Sequence, residues 1–546
     1  MTRTDLSAPF RVGALAALPP GFHELPGARK VDAILDQPDP GAFVQSIAPE
    51  ELYLLVQDIG LSDCVEIVAL ASPEQRVAFI DLDCWAGDKL DLEQLDTWID
   101  VLEEGGGDLV TETLGALDPE VLVDYLLTTT DAVLDRSQEM DINAAERNRT
   151  VLDTPDFQYK LVLSQRGVEQ SRQLARILDF VYQHDQALAR NVLTSAQNGL
   201  LIENEELALH FRNSRLSDLG FSSPEEAHAL FAPIRIDELR AELDRQAPPA
   251  SAAAGAPLSF ALARVVTSSL FLDLCAKDLP ERDRFVREFA LCTNHGLVVS
   301  AGGLALRDLD RVVDIARDVH ATISLGLEYV AGGDLTRGVE VLSRAWVIQL
   351  HQAGHALASR RAKRARDLAR RGGGLFEEPL EELLRALRQI PRPRIVDEKG
   401  RASVPASLGD LVAADRLLAA GEATVHVFET SFGFSLERFR AHEFAGVAAD
   451  EKPFVRFATL ARTLLAHVAA GDEPSFEPLG AEALRAVLAR RGELGAVAEA
   501  LAERLGGESR SVLAAAADSL TADLSLMPEG AAPDPRFLSG VVLAAR

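Results

Sequence analysis

Apolar residues along this chain recur at spacings of three and four far more often than in alternation, and that periodicity predicts helices. Between Glu169 and Tyr182, for example, Leu174, Ile177, Leu178 and Val181 fall on one helical face. Helix-start signals repeat toward the N-terminus: Ala48-Pro49-Glu50-Glu51, Ser72-Pro73-Glu74-Gln75 and Asp118-Pro119-Glu120. Proline stands at the first helical position, where a missing N–H removes no hydrogen bond. Glutamate follows at the positive end of the helix dipole. Ser72 and Asp118 add oxygens that can cap exposed amides, whereas Ala48 cannot. The prolines lie 24 and then 46 residues apart, and Asp91-Leu92-Glu93 opens the unit between. Units of about 23 residues with two short helices each predict a stacked solenoid.

The same reading divides the whole chain into an all-α, multi-domain protein. An extended tail (1–30) precedes an acidic helical-repeat domain (31–135) and a helical extension (136–246). The Pro/Ala-rich stretch 247–257 reads as a linker, the clearest boundary in the chain. A second helical region (258–371) ends in a basic helix, a Gly/Pro-rich connector (372–405) follows, and 406–546 returns to helices. Within the connector, Arg394-Ile395-Val396 and Ala402-Ser403-Val404 flank Asp397-Glu398-Lys399-Gly400, a minor β-hairpin. Thr424–Phe428 alternates and reads as an isolated strand. Trp85, Trp98 and Trp346 sit in apolar helical patterns and are expected in cores.

The "PEEL…SPEQR…DPEVL" pattern over 31–135 resembles the helical N-terminal domain of MgtE-type magnesium transporters and the related repeats of flagellar motor switch proteins. The transporter's membrane helices and nucleotide-sensing modules have no counterpart here, so the resemblance implies a scaffold without transport. Leu325-Gly326-Leu327-Glu328-Tyr329 followed by Gly332-Gly333-Asp334-Leu335 resembles a tetratricopeptide hairpin over 325–342, with Gly338 where that family has Ala. Through "FHELPGARKVDAILD", "LGLEYVAGGDL" and the basic helix that follows, the whole chain is similar to a bacterial family catalogued as a domain of unknown function. That resemblance brings no activity with it.

Charge changes the picture more than composition does. The net charge is −29, and residues 1–150 hold 30 acidic side chains against 9 basic ones. Such a field repels nucleic acid and anionic membranes, and it attracts basic partners or divalent cations. The four cysteines, Cys64, Cys84, Cys275 and Cys292, show no C-x-x-C spacing and read as small core residues in a reducing compartment. No run of about 18 uncharged apolar residues and no signal-peptide pattern is found, so a cytoplasmic location is expected.

Three constellations could carry chemistry. His351 and His355 stand at i and i+4, a zinc-binding spacing, but Gln352 occupies the place of the general-base glutamate in H-E-x-x-H enzymes. Asp81, Asp83, Asp88, Asp91 and Glu93 form an acidic cluster that fails the calcium-loop template, with Trp85 fifth and Gly87 seventh. Arg360, Arg361, Lys363, Arg364, Arg366, Arg370 and Arg371 crowd one segment with a single acid, Asp367. Those seven cations are the candidate docking patch for a protein partner, unless they rest against the acidic N-terminal repeat domain. Without stacking aromatics or a recognisable module, nucleic acid is not the expected ligand. No P-loop, dinucleotide fingerprint, nucleophile elbow or kinase signature is present. The sequence therefore points to a non-catalytic scaffold or adaptor with no cofactor. The alternatives are a divalent-metal-responsive regulator using the acidic repeats and a metal-dependent hydrolase at His351 and His355.

Overall fold

A computed structural model describes residues 22–137, 149–199, 201–243, 270–280, 282–300, 304, 306–397, 399–441, 455–526 and 540–543. The chain separates into two compact units, Met1–Gly354 and His355–Arg546, and both are built mainly of helices. The sequence-predicted linker 247–257 lies outside the described residues, as does most of the extended tail. The tail's last residues are already helical, in Gly27–Leu35.

The recurrent prolines open helices where the pattern places them: α1 (Pro49–Ile59), α2 (Pro73–Asp83) and, further on, α4 (Pro119–Thr129). Asp91 caps α3 (Leu92–Gly105), its side chain accepting from the Gln94 amide. Ser72 and Gln75 form a complete capping box, and the Gln75 amide also donates to the carbonyls of Val44 and Ile47 at 3.0 and 2.8 Å. Asp118 departs from expectation. It caps nothing, because its carboxylate is drawn instead to Arg215. Alternate helices stack, α1 on α2 and Val65–Leu70 on α3. Tyr53, Phe79 and Trp98 fill the seam between them, with Phe79 and Trp98 centroids 5.4 Å apart.

Strands interrupt this unit where helices were expected. Trp85–Ala86 (β1) and Lys89–Leu90 (β2) form a short antiparallel ladder, so Trp85 is buried on a strand and not in a helix. Thr130–Asp135 (β3), Val151–Asp153 (β4) and Tyr159–Leu163 (β5) make an antiparallel sheet in the order β3-β5-β4, with Val133 opposite Leu161 and Val151 opposite Val162. The expected helical extension thus begins with a sheet. Helix α5 (Leu201–Asp218) then lies against α4, and α6 (Ile236–Leu243) follows.

The glycine-marked hairpin is present as α7 (Leu309–Ala331) and α8 (Leu335–Arg344), turned by Gly332 in the left-handed conformation and capped by Asp334. Gly326 is the close-approach residue. A Cβ there would collide with the Leu350 carbonyl oxygen, and one on Gly354 would collide with that of Thr322. Gly338 has a separate reason: an added Cβ would meet Cys275 Sγ and the Phe271 ring. Trp346 is half-buried, while all four cysteines are buried and unpaired.

In the second unit, the C-terminal part of α9 (Val347–Gly372) packs with α10 (Leu408–Thr430) into a core centred on Phe376, Phe428, Phe434 and Phe457. The Phe428 and Phe457 rings lie 4.6 Å apart. The Thr424–Phe428 segment, read from sequence as a strand, belongs to α10. The connector contains a helix, Leu380–Leu387, and the expected hairpin, Ile395–Val396 (β6) against Ala402–Ser403 (β7).

Candidate functional site

The seven clustered cations do not form one patch. Arg361, Arg364 and Arg371 point at α10, whose acids Asp415, Glu422 and Glu429 recur every seven residues. Arg361 reaches Asp415 at 2.5 Å. Arg364 bridges Asp415 at 2.6 Å and forks onto Glu422 at 2.8 and 2.9 Å. Arg371 forks onto Glu429 at 3.0 and 2.6 Å. Partners rise together along both helices, so the two run parallel. Beneath the ladder, Leu411, Ala414, Leu418, Gly421, Val425 and Phe428 of α10 are buried at alternating spacings of three and four. Bidentate pairing favours the charged forms: Glu422 raises the Arg364 pKa, and Arg371 lowers that of Glu429.

The remaining cations, Arg360, Lys363, Arg366 and Arg370, are exposed along the outer side of α9. Arg370 meets Asp367 at 2.5 Å, with its side chain 79% exposed. Arg360, Lys363 and Arg366 have no carboxylate partner among the described residues. Helix periodicity sorts the cluster, because 361, 364, 368 and 371 face α10 while 360, 363, 366 and 370 face away.

The two histidines serve different neighbours. His351, buried in the first unit, turns Nδ1 to the Leu230 carbonyl at 3.0 Å and sets its ring edge-on to Phe231. His355, in the second unit, lies 3.1 Å from the Ser359 hydroxyl. Burial, helped by the Arg392 charge, pushes its pKa down to about 4. No group of three or more His, Cys, Asp or Glu among the described residues is arranged to hold a metal ion.

The acidic cluster is also engaged from within the first unit. Asp81 is buried and receives Arg215 at 2.6 and 2.9 Å, while Arg212 donates to its backbone oxygen at 2.8 Å and lies over the Trp85 ring. Asp83 accepts from Gln94 and from the Trp98 indole, both at 2.7 Å, and pairs with Arg307 at 2.5 Å. Arg307 continues to Asp91 at 3.3 Å. A cation binding at Asp81 or Asp83 would have to displace these guanidinium groups. Sequence reasoning missed Arg212, Arg215 and Arg307 because they lie more than 120 positions away. The signal available was Arg212 and Arg215 on one helical face, followed by Leu216.

No helix among the described residues is long and apolar enough to cross a membrane. No curated protein and no solved structure matches the chain. The resemblance of residues 31–135 to the transporter domain is therefore not shown by these comparisons. Residues 14–544 match the family described as "Family of unknown function (DUF6178)", and the chain belongs to that family.

Proposed function

We propose that this protein is a non-catalytic helical scaffold or adaptor, and that the outer cation stripe of α9 docks an acidic segment of a partner protein. The observation that supports this is the division of labour on α9. One side is neutralised by Asp415, Glu422 and Glu429, while Arg360, Lys363 and Arg366 are exposed without a carboxylate partner among the described residues. A ladder fixing the inner face leaves the outer cations a rigid backbone to stand on, and repeat-like stacking in the other unit offers further surface for protein contacts.

Native mass spectrometry of the protein isolated from its own host tests this reading. A defined stoichiometric partner is expected with the wild type, and it should be lost from an Arg360→Glu/Lys363→Glu/Arg366→Glu variant. A partner-free wild type, or a variant that keeps the partner, would refute it. Arg364 is left out of the variant, because replacing it would break the ladder and confuse docking with unfolding.

A further inference from the structure

Helix α5 is held in the first unit along one side. Asn204, Ala208, Arg212 and Leu216 are buried at intervals of four, and Asn204 and Arg212 donate to the backbone oxygens of Glu120 and Asp81, both at 2.8 Å. A second stripe, Glu203, Leu207, Phe211, Ser214 and Asp218, follows a flank of the same helix at intervals of four and three, and each member is exposed. Leu207 is 50% and Phe211 38% exposed, one turn apart, and the His210 ring stands edge-on to Phe211 at 5.8 Å. No cation pairs with Glu203 or Asp218 among the described residues.

Two features of this flank are unfavourable in water. Adjacent Leu and Phe side chains forgo the free energy of burial. Asp218 stands at the negative end of the helix dipole, where a carboxylate is repelled, and the cation of that last turn, Arg215, is drawn to Asp81 and Asp118 instead. A segment bringing apolar side chains to the middle of the stripe and cations to its ends relieves both. From Glu203 to Asp218 the stripe runs roughly 22 Å, the length of about four helical turns. We propose that this face of α5 docks a basic amphipathic helix of a partner protein. Its apolar residues, at helical spacing, cover Leu207 and Phe211, and its Lys or Arg residues meet Glu203 and Asp218. An antiparallel approach sets its positive N-terminal end beside Asp218. Charge selects this occupant, because the rim is acidic and the chain carries −29, a field that repels acidic peptides and anionic membranes. The face lies in the other unit from the α9 stripe and takes the opposite charge, so it does not rest on that reading.

Fluorescence anisotropy of a labelled leucine/lysine peptide titrated with the full chain at physiological ionic strength tests this. The probe is about 18 residues long, enough to span the stripe as a helix, with leucines at i, i+3, i+4 and i+7. Saturable binding of one peptide per chain is expected. A peptide of the same composition in scrambled order, which has the charge without the apolar face, should bind at least tenfold more weakly, and a leucine/glutamate peptide should not bind. A Leu207→Ser/Phe211→Ser chain should lose at least tenfold in affinity with an unchanged circular dichroism spectrum. Glu203→Gln/Asp218→Asn, which alters no apolar contact, should lose several-fold, and the Arg360→Glu/Lys363→Glu/Arg366→Glu chain should bind as the wild type does. Equal binding of the scrambled peptide, several peptides per chain, or undiminished binding by both α5 variants would overturn the proposal. So would a dimer of the chain alone in sedimentation velocity that Leu207→Ser/Phe211→Ser dissociates, since the face would then belong to a second copy.

Discussion

Glu50, on the first turn of α1, has both carboxylate oxygens buried without a hydrogen-bond partner among the described residues, and burial pushes its pKa from 4.5 up to about 7. A carboxyl that holds its proton more tightly when folded than unfolded stabilises the fold at low pH and loses that contribution as pH rises from about 4.5 through 7. Asp96 and Asp124, both raised to about 6 chiefly by burial, act in the same direction. Going from pH 5 to pH 8 should therefore destabilise the first unit by on the order of 3 kcal/mol through Glu50. Glu50→Gln should remove most of that dependence. Tryptophan fluorescence melts read this unit selectively, because Trp85, Trp98 and Trp346 all lie in it; an unchanged pH profile in the variant would contradict the assignment. Gly338→Ala is a second residue-scale expectation. Alanine is the better helix former by about 1 kcal/mol, yet its Cβ would press on Cys275 Sγ and Phe271. A net loss of about 1–3 kcal/mol is expected, and a raised melting temperature would show that the neighbours yield. The position of Glu50 was legible as a helix start, but its burial was not, because helix-start chemistry ranks acids by position and takes no account of what packs over them.

Among the elements, the α9–α10 pair was half legible. The basic run was plain in the sequence, but the acids it pairs with were not, since the internal alternative pointed to the acidic N-terminal repeats. The acids turn out to be Asp415, Glu422 and Glu429, in a stretch where Gly421 and Ala414 dilute the heptad and Val425-His426-Val427 mimics strand alternation. The β3-β5-β4 sheet was hidden differently: β4 is only three residues long and is recognisable only through its pairing with β5. The ladder makes a charge-swap prediction. Arg364→Glu should lower the stability of the second unit by placing a third carboxylate beside Asp415 and Glu422. Adding Glu422→Arg should restore part of the loss, with a coupling of about 1 kcal/mol. Urea unfolding followed by far-ultraviolet circular dichroism measures the cycle, and zero coupling would mean that solvent outcompetes the pair.

At the scale of the molecule, residues 31–135 read from sequence as an acidic helical-repeat domain, and their buried acids are answered from elsewhere in the first unit. Asp81 and Asp118 receive Arg215, and Asp83 receives Arg307. Removing the partner of a buried charge typically costs about 3–5 kcal/mol. A fragment ending at residue 199 should therefore lack a cooperative thermal transition by circular dichroism, whereas Met1–Gly354 should show one. A sharp melt from the shorter fragment would mean that its acids tolerate solvation or protonation. The pairing of these acids with Arg215 and Arg307 was not legible, because long-range ion pairs leave no mark in composition or spacing.

The parallel course of α9 and α10 has a consequence for how the chain meets a protease. Two parallel helices cannot be joined by a tight turn, so the Gly/Pro-rich connector has to travel back along the pair. It does so carrying Leu380–Leu387, whose Leu383, Leu384 and Leu387 are buried, and the β6–β7 hairpin. Arg385, Arg388, Arg394, Lys399 and Arg401 give trypsin five places to cut within it. Cleavage requires several residues to leave their packing and enter the enzyme's cleft extended. Brief tryptic digestion should therefore spare this segment and leave α9 and α10 on one fragment, although its composition reads as a hinge.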